Sequence, residues 1–263
     1  MIRALMTAAS GMKAQQLQVD TIANNIANVN TTGFKKNELA FREMLYQTMR
    51  EPGAPTGQSQ MAPTGLQVGS GTEVASSMKM FKQGEVVPTS GNDLDLAIVG
   101  EGFFKVKPGQ GEDRFTRDGT FRRDESGAIV TSEGYKLQPE VKIPSDATSV
   151  LIAEDGQVSV MKGDTGLAET VGTISLFRFA NSSGLKAQGG NLYSPSASSG
   201  EAQDAAPGIS GTGIIRQSAL ERSNVQVVDE LVALILAQRN YEINSRAIRV
   251  SDDMLQQVNN MVR

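Results

Sequence analysis

Residues 5–29 read LMTAASGMKAQQLQVDTIANNIANV, and this stretch decides the fold of the chain's N-terminal end. Residues that are apolar or small, apart from Gln15, recur there at alternating intervals of three and four over almost four heptads: Leu5, Ala8, Met12, Gln15, Val19, Ile22, Ile26 and Val29. A left-handed coiled-coil seam needs this spacing, because residues 3.5 positions apart stay on one side of a supercoiled helix. We predict a helix from about Ile2 to Asn28, ended by a turn at Gly33.

The last forty residues show a second apolar stripe, which predicts a long C-terminal helix. Its members are Val225, Val228, Val232, Ile235, Ile243, Ala247, Val250, Met254, Val258 and Met261. The helix is expected to start near Asn224, with Ser223 or Asn224 as its N-cap. Two intervals of four around Arg239 form a stutter, which locally unwinds a left-handed coil. At roughly 38 residues the helix would be about 57 Å long, a length that favours packing in a coiled coil.

Two weaker segments follow the N-terminal helix. Residues 34–49 are predicted to hold a short second helix, with Leu39, Met44 and Leu45 on one side. Residues 51–71 are rich in Pro, Gly, Gln, Ser and Thr, a composition that excludes a helix. This segment is either a flexible linker or an extended segment ordered by contact with neighbouring subunits.

Residues 73 to about 200 are predicted to be all-β. Leu94, Leu96 and Ile98 alternate with other residues as in a half-buried strand. Asp118-Gly119 and Asp155-Gly156 each separate apolar alternations and predict hairpin turns. A further strand is expected at residues 174–179, and 181–213 should be loops with short strands.

The predicted fold class is α+β, with terminal helices that pair in a coiled-coil domain and a central all-β domain between them. We expect three segments: residues 1–45 with 218–263 as the coiled-coil domain, 46–72 as the Pro/Gly-rich segment, and 73–217 as the β domain.

Composition narrows the function. The 263 residues include no His, Cys or Trp, and the net charge is -4. The usual transition-metal ligands and every catalytic triad that uses His are therefore absent, and no basic footprint for nucleic acid exists. We expect no enzyme activity, no cofactor and no metal. The chain has no membrane-spanning run of apolar residues and no apolar core of a secretory signal near its start.

Two rival functions remain open at this point. Asp93 with Asp95, or Asp118 with Asp124, are candidate paired carboxylates for catalysis, although Asp has ordinary structural uses in turns. A calcium site at residues 118–124 lacks the spacing of an EF-hand. A soluble binding module or chaperone would stay monomeric with ordered ends, whereas a polymer subunit would not.

Four motifs occur in one order along the chain. The first is Ser10-Gly-Met-Lys-Ala-Gln-Gln16 followed by residues 20–35, and the second and third are residues 95–104 and residues 115–121 with 127–131. The fourth is residues 223–245. The terminal motifs include Asn24, Asn25, Asn28, Asn30, Gly33, Phe34, Gln238, Arg239, Tyr241 and Asn244. Together they closely resemble the motifs of bacterial flagellar axial proteins, the rod and hook subunits.

Within that family, the Pro/Gly-rich segment is similar to the insertion of the distal-rod type. The similarity rests on residues 46–54 and 66–69, and the segment is marked by Tyr46, Pro52, Gly53, Pro63 and Gly65. The sequence departs from the usual pattern at residues 55–63 and has Asn240 where the family often has Ala. A hook or proximal-rod axial subunit is the alternative.

The resemblance implies a structural subunit that assembles into a straight, rigid, hollow helical tube around the export channel. Such a tube transmits motor torque across the periplasm to the hook and supports flagellum-dependent motility. The implied partners are copies of the chain itself, proximal rod and hook subunits, the peptidoglycan-ring and outer-membrane-ring proteins, and the flagellar type III export apparatus. Export without a cleaved signal peptide agrees with the N-terminal sequence. The segment 46–65 would block axial sliding between subunits, and Arg222, Arg239, Arg246 and Arg249 are candidates for ion pairs across subunits.

Overall fold

The computed structural model describes residues 2–53, 55–57, 60–61, 63–109, 111–162, 168–209 and 211–261. Two long helices stand at the ends of this part of the chain, and short strands fill the region between them. The helices are α1 (Ile2–Ala27) and α2 (Val227–Met261), with a 3-10 turn at Ser182–Gly184. The strands are β1 (Asn37–Glu43), β2 (Gln47–Arg50), β3 (Pro55–Gly57), β4 (Gln60–Met61), β5 (Leu66–Val68), β6 (Thr72–Lys79), β7 (Val86–Pro88), β8 (Leu96–Val99), β9 (Phe104–Lys107), β10 (Arg114–Thr116), β11 (Phe121–Arg123), β12 (Ile129–Thr131), β13 (Lys136–Gln138), β14 (Ala147–Ile152), β15 (Gln157–Lys162), β16 (Ala168–Thr173), β17 (Leu176–Arg178), β18 (Lys186–Gly189), β19 (Leu192–Ser194), β20 (Gln203–Ala205), β21 (Ile214–Gln217) and β22 (Ala219–Glu221).

The N-terminal helix is confirmed to within one residue, and Gly33 turns the chain after it with a positive φ of 68°. The predicted start of the C-terminal helix is wrong. α2 begins at Val227, and neither Ser223 nor Asn224 is its N-cap. The side chain of Asn224 instead bonds the backbone of Lys36, Met80 and Lys82, so it is not available to cap a helix.

The short second helix predicted for residues 34–49 is also wrong, because β1 and β2 occupy that stretch. Three strand pairs nest within one another along a ribbon: β1 with β6, β2 with β5, and β3 with β4. Backbone hydrogen bonds from Met44 to Gly71 (2.9 Å) and from Met80 to Lys36 (3.0 Å) close both ends of the first pair. Residues 51–71 therefore belong to an extended ribbon that pairs within the chain, with residues 54, 58, 59 and 62 outside the described part.

A seven-stranded sheet organises the β region, in the order β11-β12-β13-β9-β10-β19-β18. The hairpin predicted at Asp118-Gly119 is wrong, because β10 and β11 are not neighbours in this sheet. Gly119 is needed for another reason: its carbonyl accepts a bond from the Leu96 amide at 3.0 Å, and a Cβ on Gly119 would collide with the Leu96 carbonyl oxygen. Glycine here permits close backbone approach to β8.

The hairpin predicted at Asp155-Gly156 is confirmed. β14 and β15 pair antiparallel with Ile152 opposite Val158, and Gly156 has a φ of 84°. β16 adds to β15 to complete a three-stranded sheet, and separate two-stranded pairs join β8 with β21, β7 with β22 and β17 with β20. The strand predicted around Leu94–Ile98 is found as β8, but the prediction that it is half-buried is wrong, because Ala97 is buried as fully as Leu96 and Ile98.

Two clusters of buried side chains form the core of the β region. The larger cluster comprises Leu94, Leu96, Ile98, Phe104, Val106, Phe121, Ile129, Leu137, Val141, Ile143, Ile152, Val158, Ile174, Leu176 and Ile215. The smaller one is mostly aromatic and comprises Phe103, Phe115, Phe177, Phe179, Leu185 and Tyr193. The predicted α+β class, with terminal helices that pack together and a β region between them, is confirmed.

The chain divides into two compact units. Unit 1 holds residues 1–26, 37–78 and 226–263, which include both long helices and the ribbon. Unit 2 holds residues 27–36 and 79–225, which include the two core clusters. The three functional segments expected from the sequence stay a prediction. Neither of the described helices has a stretch long and apolar enough to cross a lipid bilayer.

Candidate assembly surface

Within unit 1, α1 and α2 pack against each other in opposite directions. The Asn25 carboxamide near the end of α1 donates to a carboxylate oxygen of Glu230 at 3.3 Å near the start of α2. At the other end of the pair, a Cβ on Gly11 would lie 2.9 Å from the Asn244 carboxamide. The absence of a side chain at Gly11 thus lets the two helices approach closely.

The face of α1 that the chain covers overlaps the predicted seam but also includes Ala14 and Asn25, which are not seam positions. Ala8, Ala14, Ile22 and Asn25 are buried. The predicted seam positions apart from Ala8 and Ile22 are half-buried, and none of the eight is exposed: Leu5, Met12, Gln15, Val19, Ile26 and Val29. These side chains therefore face the interior of the folded chain at least in part, and their contacts with other subunits stay a prediction.

The covered face of α2 differs from the predicted stripe. Glu230, Ala237 and Ser251 are the buried residues of this helix, and Asn244 and Ser245 are half-buried beside them. Leu234, Ile248 and Leu255 are half-buried on the same face, so the covered side of α2 alternates apolar residues with small and polar ones.

The predicted apolar stripe of α2 lies on the surface. Its exposed members are Val228, Val232, Ile235, Ile243, Ala247, Val250, Met254, Val258 and Met261. The exposed fraction reaches 72% at Val228 and 86% at Met261. Val225 is the exception, buried in unit 2 just before the helix. We call these nine exposed residues the α2 stripe. A long row of exposed apolar side chains on a single helix, interrupted here only at Arg239, marks an interaction surface.

The asparagine-rich motif at the end of α1 fixes the turn that follows it. The Asn25 carboxamide bonds the backbone of Asn37 in both directions, donating to its carbonyl at 3.0 Å and accepting from its amide at 2.9 Å. Asn28 accepts a bond from the Thr31 hydroxyl at 3.2 Å, while Asn24 and Asn30 are exposed. Phe34 is buried, with the Lys79 ammonium 4.9 Å from its ring centroid.

The C-terminal motif lies on an open side of the helix pair. Gln238 and Tyr241 line a groove of about 450 Å³ together with Gln16, Val19 and Glu242. Arg239 is exposed next to it. The ring of Tyr241 and the apolar wall at Val19 give this groove mixed character, which suits a side chain from a neighbouring molecule.

The ribbon also presents apolar side chains to solvent. Leu45 is 92% exposed, and Tyr46, Met49 and Leu66 are exposed near it. The Tyr46 hydroxyl donates to Glu43 at 2.8 Å. Arg3 of α1 bonds Gln47 of the ribbon. This apolar cluster is a second surface in unit 1 that the chain itself leaves uncovered.

The remaining marker positions of the ribbon segment serve its turns. Pro52, Gly53 and Pro63 are exposed, and Gly65 is half-buried. A Cβ on Gly65 would meet the Arg50 carbonyl oxygen at 2.7 Å, so a side chain there would push the two sides of the ribbon apart.

The carboxylates that were candidates for catalysis form hydrogen bonds within turns. Asp95 accepts a bond from Asn92 at 2.6 Å, Asp118 accepts from the Thr120 amide at 3.1 Å, and Asp124 accepts from the Glu125 amide at 2.7 Å. Asp93 bonds Gln217 through its backbone carbonyl. Across the described ranges, no group of three or more His, Cys, Asp or Glu residues is placed to hold a metal ion.

Sequence reasoning missed one cluster in unit 2, the buried ion group of Lys35, Arg117 and Glu221. Lys35 and Arg117 each stand inside a recognised motif. The sequence signal that could have indicated this cluster was the presence of charged residues close to large apolar residues that are expected to be buried, such as Phe34 and Phe115.

Terminal helices that pair within the chain and leave an apolar stripe uncovered define a class of protein, the α+β subunit built for assembly through its ends. Three family models match this chain. "Flagella basal body rod protein" matches residues 5–35, "Flagellar hook protein FlgE/F/G D1 domain" matches 97–160, and "Flagellar basal body rod FlgEFG protein C-terminal" matches 216–261.

Similar curated proteins cover the whole length. The flagellar basal-body rod protein FlgG of Borreliella burgdorferi is 46% identical over 100% of both chains. Its namesake in Caulobacter vibrioides is 45% identical over 97% of both, and that in Bacillus subtilis is 40% identical over 100% of both. The chain belongs to the flagellar basal-body rod protein family. It is a structural rod protein of the flagellar basal body.

Proposed function

We propose that this chain is the subunit of the distal rod, which assembles with copies of itself into a straight, rigid, hollow helical tube. The α2 stripe carries the proposal. Nine exposed apolar positions on one helix are costly to leave in water, since burying each large side chain contributes about 1.5–3 kcal/mol. Because the chain belongs to the rod family, we expect further copies of the chain to cover this surface. A surface that contacts a different patch on the next copy generates a helical assembly.

In this function the tube surrounds the export channel and transmits motor torque across the periplasm to the hook. Its proposed partners are proximal rod and hook subunits at its ends, the peptidoglycan-ring and outer-membrane-ring proteins around it, and the type III export apparatus, which carries the subunit out without a cleaved signal peptide. The distal assignment is supported by the ribbon segment 46–65, which resembles the distal-rod insertion.

Assembly can be tested with a pair of matched variants of α2. Val232→Gln combined with Ile235→Gln removes two members of the α2 stripe while keeping good helix formers. Electron microscopy after concentration should show straight hollow tubes for the unmodified chain and for the control Asp253→Asn, an exposed position of α2 outside the stripe. The double variant should need at least about a tenfold higher concentration to assemble, because it loses apolar burial.

Limited proteolysis completes this test. The ends of α1 and α2 should be cleaved in the dilute monomer and protected in tubes, because helices that lack part of their packing are marginal alone. Curved, pliable tubes would favour a hook-type subunit. A chain that stays monomeric at high concentration with protected ends would overturn the proposal.

The ribbon segment has a mechanical role in this proposal. Its exposed cluster of Leu45, Tyr46, Met49 and Leu66 would lie against a neighbouring subunit and oppose axial sliding. Deletion of residues 46–65 should give tubes that are softer or curved in electron micrographs. Straight, stiff tubes from the deletion variant would count against this role while leaving the assembly proposal standing.

A further inference from the structure

The chain enters and leaves unit 2 through three segments. Residues 27–36 follow α1, residues 79–85 follow the ribbon, and residues 221–225 precede α2. Any force that passes along the chain between its terminal helices and the β region travels through these segments. How they are held within unit 2 therefore matters to a subunit that transmits torque.

Glu221 is bonded to all of these elements at once. One carboxylate oxygen accepts from the Lys35 ammonium at 2.6 Å and from the Gly84 amide at 2.9 Å. The other accepts from the Arg117 guanidinium at 3.2 Å, and the Glu221 carbonyl accepts from the Gly33 amide at 2.8 Å. The side chains of Lys35 and Glu221 are both fully buried. A single residue thus joins the segment after α1, the segment after the ribbon and the β region.

Lys35 and Arg117 extend the contacts of Glu221. Lys35 also donates to the Lys82 carbonyl at 2.9 Å, and Arg117 donates to the Gly100 carbonyl at 2.8 Å. Burial lowers the pKa of the Lys35 ammonium, and the Glu221 carboxylate opposes that shift. A buried ion group of this kind is weak support for stability, because the cost of desolvation offsets the attraction, but it does select one geometry.

Asn224 ties the three segments a second time. Its carbonyl oxygen accepts from the Lys36 amide at 2.9 Å, and its amide group donates to the Met80 carbonyl at 2.8 Å and the Lys82 carbonyl at 3.0 Å. Three directed bonds from one planar group fix the spacing of the segments as well as their contact.

We propose that Glu221 and Asn224 are positioning residues that hold the three connecting segments in one register on unit 2, so that these segments pass force as a single rigid junction. The inference rests on the proposed function of the chain as a torque-transmitting rod subunit. The junction consists of Lys35, Arg117, Glu221 and Asn224 with the backbone they bond.

Hydrogen exchange on the full-length monomer tests the junction itself. Asn224→Ala removes three bonds and leaves no buried charge behind. Amides of residues 28–36, 79–85 and 221–225 should exchange about tenfold faster together, as expected for the loss of one or more hydrogen bonds, while amides in β9 and β13 keep their rates. Asn181→Ala, which removes a bond to Ser198 elsewhere in unit 2, is the matched control and should change none of the three segments.

Two exchange results would overturn the junction. One is a faster rate confined to residues 221–225, which would mean that the segments are held separately. The other is an equal change in β9 and β13, which would mean a general loss of stability.

Tube stiffness tests the link to function. Asn224→Ala should assemble in normal amounts, because the α2 stripe is intact, but its tubes should bend more in electron micrographs than tubes of Asn181→Ala. Equally stiff tubes would overturn the transmission of force through the junction. If the unmodified chain forms no tubes, the proposed function fails, and the exchange pattern still decides whether the junction couples the segments.

Discussion

Unit 1 and unit 2 use their apolar residues in opposite ways. Unit 2 buries large side chains such as Phe104, Phe121 and Leu176 completely in the larger of its two clusters. The helices of unit 1 bury mainly small or polar residues, including Ala8, Ala14, Ala237 and Ser251, and leave large apolar side chains of α2 in solvent.

The difference teaches how stability is divided in this subunit. Unit 2 has the close-packed core that lets a domain fold alone. Unit 1 has its apolar surface placed for partners, so its helices gain their full stability only when that surface is covered. Substitutions should therefore act through folding in unit 2 and through assembly in unit 1.

The largest effect on folding is expected in unit 2, for Gly119→Ala. The added Cβ collides with the Leu96 carbonyl oxygen, a backbone atom that cannot move without breaking the approach to β8. We expect a loss of about 3 kcal/mol or more in the free energy of unfolding, measured in urea on the dilute monomer. The control is Gly69→Ala in the ribbon, where the nearest atom, in the Tyr46 ring, is 3.6 Å away. A small effect at Gly119 would show that the backbone contact is loose.

A smaller effect is expected in unit 1 for Ala237→Leu. Ala237 is buried on the covered face of α2, so a larger side chain overpacks the helix pair. Helical circular dichroism during urea unfolding should show a loss of about 1–3 kcal/mol. Ala247→Leu, on the exposed side of the same helix, should stay within about 0.5 kcal/mol. Equal stability of the two variants would mean that the helix pair contributes nothing to the monomer.

The smallest effect concerns Asp118 in unit 2 and depends on pH. Burial raises the pKa of the Asp118 carboxyl above 3.8, although bonds from Thr120 oppose the shift. The stability that Asp118 contributes is then complete below pH 3.8 and is lost as pH rises through the pKa of the folded state.

Asp118→Asn should therefore raise the thermal midpoint of unfolding at pH 7 and lose that advantage in acid. Its effect on the free energy of unfolding should be smaller than that of Gly119→Ala or Ala237→Leu. Asp155→Asn, at an exposed turn, is the matched control for the same substitution outside the core. An advantage of Asp118→Asn that is equal at pH 7 and in acid would argue against burial as the cause.

Local spacing in the sequence was enough to predict both helices, but it could not say which face each helix turns inward. The heptad positions of α1 are buried or half-buried within the chain, whereas those of α2 are exposed. An apolar stripe shows that a partner is needed and does not say whether the partner is the same chain. The covered face of α2 also has apolar residues, at Leu234, Ile248 and Leu255, so periodicity alone did not show which face packs within the chain.

The two Asp-Gly pairs show a second limit. Asp155-Gly156 joins neighbouring strands and was predicted correctly, whereas Asp118-Gly119 lies between strands that go to different places in the sheet. The Asp-Gly dipeptide indicates a tight turn or close backbone approach, but it does not show which strands pair on either side of it. The junction was beyond reach for a similar reason, since Lys35, Arg117 and Glu221 are brought together only by the tertiary fold.

The nested ribbon has a consequence for how this segment changes between proteins. Each of its strand pairs is a separate two-stranded sheet, so the bonds at the base do not depend on those at the tip. Matched residues can be added to or removed from both sides near residues 55–61 while Met44 stays bonded to Gly71. The ribbon is therefore a projection whose reach is adjustable in steps of one rung, about 3.3 Å per residue on each side, with the rest of the subunit left as it is.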